Sequence, residues 1–207
     1  MQNYTNGDNV EIVDGKLVIT AELVDNNYQP GSYTSARLKT EGKVEYQYGR
    51  MVARITLPAG TGVWPAFWML GSNFSSVGWP FCGEMDIMEY VGFQPNTTHS
   101  YVHMQDGFGG GGIGNSIPVE TCEEEFHLYG LDWTEDALVF WVDEPENIVH
   151  TYAPEVKTPE NWPFDQPAFF ILNLAIGGSW GGQQGIDNSI FPQSMEVDYV
   201  KVYQKAE

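Results

Sequence analysis

The chain has 207 residues, 42% of them hydrophobic and 14% aromatic, which is enough to fold around one large core and too much for a disordered chain. Nine Lys and Arg against 28 Asp and Glu leave a net charge of −19. Like-charge repulsion therefore excludes nucleic acid, anionic membranes and sulfated or carboxylated polymers as partners. No run of eighteen apolar residues occurs, so no membrane-spanning helix is expected.

In chain order, most segments alternate with period two. Val10–Val13 and Lys16–Thr20 flank Asp14-Gly15, which predicts a hairpin around an Asp-Gly turn. A strand is predicted at Tyr48–Leu57, closed by Pro58 and Gly60. Further strands are predicted at Ala66–Leu70, Met85–Val91, Ser100–Met104, Phe126–Trp133, Ala137–Asp143, Phe169–Ile176 and Met195–Tyr203. Turn residues such as Gly71-Ser72-Asn73 and Gly177-Gly178 separate them. No window of twelve residues carries a 3.6-residue apolar period, so helices are not expected. Many short strands and 23 Gly predict an all-β antiparallel sandwich or barrel. Neither a repeat nor a composition break divides residues 1–207, so one domain is expected.

The sharpest feature is Gly83-Glu84-Met85-Asp86-Ile87-Met88-Glu89-Tyr90. On a regular strand Glu84, Asp86 and Met88 share one side, and Met85, Ile87 and Glu89 the other. A β-bulge near Ile87–Met88 returns Glu89 to the side of Glu84 and Asp86 and sends the apolar residues to the core. With 17 Glu and 11 Asp, this acid spacing arises by chance in roughly one chain in fourteen of such composition, so placement carries the inference. Acids interrupting an apolar strand are costly to bury, and three adjacent carboxylates repel one another, which points to function over stability.

Trp64 and Trp68 are four apart, so on a strand they share a face. Aromatic faces stack on the C–H faces of sugars as on other apolar surfaces. Core packing is the alternative, and seven Trp in the chain leave both open. His99 and His103 also share a strand face, whereas a metal-binding His pair at this spacing requires a helix. His103 is expected to line the carboxylate cleft. Gly109–Gly112 with Ile113-Gly114 lacks the Lys-Ser/Thr of a phosphate loop and reads as a flexible loop. Cys82 and Cys122 could form one bridge, which spacing alone does not decide.

Trp64–Gly71, Gly83–Gly92 and the run from Leu172 to Trp180 (Leu-Asn-Leu-Ala-Ile-Gly-Gly-Ser-Trp) resemble glycoside hydrolase family 16, and within it the laminarinases, endo-β-1,3-glucanases. The likeness runs from about Gln2 to Gln204. It implies a β-jelly roll of two curved antiparallel sheets with an open concave cleft. It implies Glu84 as nucleophile, Glu89 as acid/base and Asp86 as a hydrogen-bonding helper, with Glu84 ionised and Glu89 protonated. Trp64, Trp68 and Trp180 look like sugar-contacting positions, and Arg54, His103 and Asn173 like cleft-lining ones. The carbonyl of Gly15 and Asp198 resemble two ligands of a structural calcium, and no cofactor is expected in catalysis. Members usually begin a few dozen residues earlier, so an outer strand is expected to be missing and a sheet edge left unpaired. The implied enzyme is a secreted, cell-surface or periplasmic monomer that retains configuration and cuts neutral β-1,3-glucan internally. A non-catalytic β-glucan-binding module, or an enzyme on mixed-linkage glucan or agarose, is the alternative.

Overall fold

The computed structural model describes residues 1–205. Fifteen strands follow one another: β1 (Gln2–Tyr4), β2 (Val10–Val13), β3 (Lys16–Leu23), β4 (Tyr33–Ser35), β5 (Arg37–Lys39), β6 (Gly49–Thr56), β7 (Val63–Gly71), β8 (Glu84–Tyr90), β9 (Thr97–His103), β10 (Ile113–Pro118), β11 (His127–Trp133), β12 (Leu138–Val142), β13 (Ile148–Tyr152), β14 (Ala168–Ile176) and β15 (Gln193–Tyr203). A four-residue helix, α1 (Phe74–Val77), precedes β8. Nine strands make one sheet, in the order β1-β4-β3-β15-β6-β11-β12-β13 with β2 on β3, and six make the other, β10-β9-β8-β7-β14-β5. The predicted sandwich is the observed jelly roll, antiparallel except where β1 pairs β4.

The period-two pattern decides which side chains enter the space between the sheets. From the nine-stranded sheet Met51, Ala53 and Ile55 of β6 and Tyr129, Leu131 and Trp133 of β11 are buried there. From the six-stranded sheet Phe67 and Met69 of β7, Met85 of β8, Val102 of β9 and Phe170 of β14 meet them. Each such side chain contributes about 1.5–3 kcal/mol through burial. The ten predicted strands all form, with ends moved by a few residues. The strands that local pattern did not reveal are β1, β4, β5, β10 and β13. Four of these lie at sheet edges and β4 lies one place in. An edge strand pairs on one side only, so its apolar alternation is weak.

β8 carries the predicted bulge. Trp68 pairs with Asp86 and Phe67 with Met88, leaving Ile87 without a partner on β7. On the other side Asp86 pairs with Tyr101 and Glu89 with His99, so Ile87 and Met88 together oppose Ser100, whose Oγ donates to the Ile87 carbonyl at 2.9 Å. Both Ile87 and Met88 enter the core, at 1% and 0% exposure. Without the extra residue Glu89 would point into that core, at a cost of several kcal/mol for an unpaired buried charge.

Candidate active site

β8 lies in the middle of the six-stranded sheet, and Glu84, Asp86 and Glu89 leave it on the side away from the core. Gly83 starts the strand at φ +74°, a left-handed conformation, with no room for a side chain because a Cβ would come within 2.9 Å of Pro163 Cγ. Adjacent strands add to the same face: β7 contributes Trp64 and Trp68, β9 contributes His99, Tyr101 and His103, and β14 contributes Asn173. Trp180, from the turn after β14, packs edge-on against Trp64 at 5.8 Å and against His99 at 4.8 Å. Trp79, from the loop after α1, stands 6.3 Å from His103 and 5.3 Å from Phe108. Trp64, Trp79, Trp180, His99, Tyr101 and His103 border an open cleft of about 750 Å³ containing Glu84 and Glu89.

Few hydrogen bonds satisfy the carboxyl groups. Trp64 Nε1 donates to Glu89 Oε1 at 2.9 Å. His103 Nε2 lies 3.1 Å from Asp86 Oδ2 and 3.9 Å from Glu84 Oε1. Burial pushes Glu84 up to about 8, with the charge of Asp86 adding and that of His103 opposing. Burial likewise pushes Glu89 up to about 7, against the Trp64 hydrogen bond and with the charge of Glu84 adding. Asp86, 3% exposed, is raised by burial and then by Glu89. The expectation that Glu84 alone stays ionised in the free protein therefore gives way to a cluster sharing protons. Near neutral pH such a cluster holds both a proton to give and a negative charge to attack with. Glu84, Asp86 and His103 each bring one ligand atom within 4.8 Å of the others, as in a metal site. The same three groups stand close enough to exchange protons, and we read them as acid–base machinery.

Comparison with known proteins agrees with this geometry. The model of glycosyl hydrolases family 16 matches residues 1–201. A beta-glucanase of Rhodothermus marinus is 42% identical, over 100% of this chain and 75% of its own. The crystal structure of a laminarinase from Flavobacterium sp. UMI-01 superposes with a TM-score of 0.90 at 48% identity, covering 98% of this chain and 84% of that one. A glucan endo-1,3-beta-glucosidase of Niallia circulans is 35% identical over 99% of this chain, which spans 32% of that protein's length. The chain belongs to glycoside hydrolase family 16.

Within this family 16 fold the cleft brings together Trp64, Glu84, Glu89, His103 and Trp180. Asp86 lies beneath them. Trp68 and Asn173 lie on the same face toward β5, where Trp68 Nε1 donates to Asn173 Oδ1 at 2.8 Å and the Arg37 guanidinium sits 5.4 Å from the Trp68 ring. Arg54 is not cleft-lining. It leaves β6 on the opposite sheet, where its Nη1 holds Asp198 Oδ2 at 2.8 Å and its guanidinium covers Phe126 at 4.5 Å. Even parity on a strand does not tell which sheet the strand joins. Cys82 and Cys122 are buried free thiols with no bridge between them. The residues after Gly112 form β10 instead of a loop. Trp79, His99, Tyr101, Gln94, Ser116, Ser179 and Gln183 also line the cleft without having been singled out as ligand-facing. The alternation His99-x-Tyr101-x-His103 and the surplus of Trp were the signals for three of them.

Proposed function

We propose that the chain is a retaining endo-glycosidase that hydrolyses internal β-1,3-glucosidic bonds of neutral, laminarin-type glucans. The observation that carries it is the bulge, which turns two glutamates five residues apart onto one cleft face with an aspartate between them. Glu84 attacks the anomeric carbon as Glu89 gives its proton to the leaving oxygen. A sugar–carboxylate ester forms and the glucosidic bond breaks. Glu89 then takes a proton from water, and the hydroxide displaces Glu84 from the sugar. Retention requires carboxyl groups about 5–5.5 Å apart, too close for a water between them. Asp86, buried beside Glu84, shares a hydrogen bond with it. Trp64 and Trp180 supply apolar ring faces for sugar C–H groups.

The preference for β-1,3-glucan is supported by the names of the relatives, which include a laminarinase and a glucan endo-1,3-beta-glucosidase, and by the net charge, which repels sulfated chains. A glucan-binding module on the same scaffold would need the tryptophans but not both glutamates. Reducing-sugar release and viscosity loss on laminarin test the reading. No release from any β-1,3-glucan, or faster release from agarose, would overturn it, and inverted configuration in the first product would refute the mechanism.

We further propose secretion and a monomeric state, both consistent with action on a polymer outside the cell. A calcium ion on the Gly15 carbonyl and Asp198 is proposed as a stabiliser outside the chemistry. In support, the β3–β15 ladder runs to Leu17↔Val197, which brings Asp198 beside the turn at Gly15. Asp198 Oδ2 accepts from Arg54 Nη1, so a cation there has to share that carboxylate with a guanidinium. A melting temperature that does not differ between calcium and chelator excludes the ion.

A further inference from the structure

Two of the three rings along β9, Tyr101 and His103, lie against glycines. His99, Tyr101 and His103 follow one another with centroids 6.3 Å apart and planes 17° and 18° from parallel. β10 pairs Gly114 with Tyr101, and Gly112 lies just before β10, against His103. A Cβ on Gly112 would stand 2.2 Å from His103 Cε1 and 2.6 Å from Nδ1. The Gly112 backbone, at φ −54° and ψ 148°, is open to any residue. Conformational freedom is therefore not what glycine provides at this position. What it provides is the volume in which the imidazole lies.

That imidazole stands over the carboxyl groups. Its Nε2 is 3.1 Å from Asp86 Oδ2 and 3.9 Å from Glu84 Oε1. The titratable groups facing it are Glu84, Asp86 and Glu89 of β8 and Tyr101 of its own strand. Trp79 and the backbone of Gly112 close the other sides without charge. We propose that Gly112 is a positioning residue: its lack of a side chain seats His103 against Asp86 and Glu84, and His103 so seated governs how those carboxyls hold their protons during glycoside cleavage. The catalytic part rests on the reading of Glu84 and Glu89 given above.

Gly112→Ala tests it with little damage to the fold, since the atoms it meets are the far end of a side chain that can swing aside. Gly114→Ala would be a poorer test, because its Cβ also meets the Ser100 carbonyl oxygen at 2.1 Å. Gly112→Ala is expected to lower kcat on laminarin about 10- to 100-fold. KM and the melting temperature should change little, and the pH profile should shift in the same direction as in His103→Ala. In the His103→Ala background Gly112→Ala should cost nothing further, since its only route of action is gone. Equal losses in both backgrounds, or an unaltered pH profile, overturn the proposal. If the wild-type protein releases no sugar from laminarin, the functional reading has failed. The positioning is then decided by the His103 imidazole resonances, which move in Gly112→Ala if it holds and stay if it does not.

Discussion

Carboxylates project from both sheets, and their surroundings differ. On the nine-stranded sheet Asp132 takes Arg50 through two bonds of 2.6 and 2.7 Å, and Asp198 takes Arg54 at 2.8 Å. All four side chains are about a third exposed. On the six-stranded sheet Glu84, Asp86 and Glu89 face one another, two indoles and His103, with Asp86 and Glu89 buried and Glu84 partly open to the cleft. The first arrangement neutralises charge where water already screens it, which is worth little. The second concentrates charge where neither water nor an Arg or Lys offsets it, which costs stability and raises every carboxyl. Acids of one type are thus paired with cations on one face and crowded against one another on the other.

The sharpest way to break this contrast is to remove charged groups from each face in turn. Glu84→Gln is expected to lower turnover on laminarin by on the order of 10⁴-fold, as loss of a nucleophile does elsewhere. Glu89→Ala should regain activity with azide or an activated leaving group. Substantial activity in Glu84→Gln, by reducing-sugar assay, would end the assignment. Trp180→Ala should weaken substrate binding by about 1–3 kcal/mol through lost stacking, read as a raised KM with kcat little changed.

Stability should respond in the opposite sense. Glu84 and Glu89 have folded values of about 8 and about 7, above the ordinary carboxyl value near 4.3 that the unfolded chain keeps. Between those limits the folded state binds more protons than the unfolded one, so stability falls as pH rises from about 4.5 to 8 and is flat beyond. Glu84→Gln removes a charge that the fold resists, and should raise the melting temperature at pH 8 by a few degrees, corresponding to about 1–2 kcal/mol. At pH 4, where both states are protonated, the gain should vanish. A gain that is the same at both pH values would show that like-charge burial is not the cause. The smallest effect belongs to the other sheet: Arg54→Leu should change stability by under about 1 kcal/mol and leave kcat/KM on laminarin untouched. A large loss of activity would restore Arg54 to the cleft.

Much of this was legible in the chain itself. The acid spacing around Ile87 and Met88 required a bulge because only an extra residue reconciles two buried apolar side chains with three carboxylates on one face. The alternation from Val10 onward announced paired strands, because a half-buried strand must alternate. Local pattern does not record which strand lies beside which, because pairing is decided by contacts between distant residues. β14 reaches β7 over a hundred residues away, and β15 inserts between β3 and β6. Arg54 was misplaced for that reason. Edge strands such as β10 were missed because one unpaired side leaves them little apolar signal. Trp79 and the close approach of Gly112 to His103 came from loops folding over β8 and β9. The residue types were thus written locally, while tertiary packing set their distances, burial and proton affinities, since those depend on what the rest of the chain brings against them.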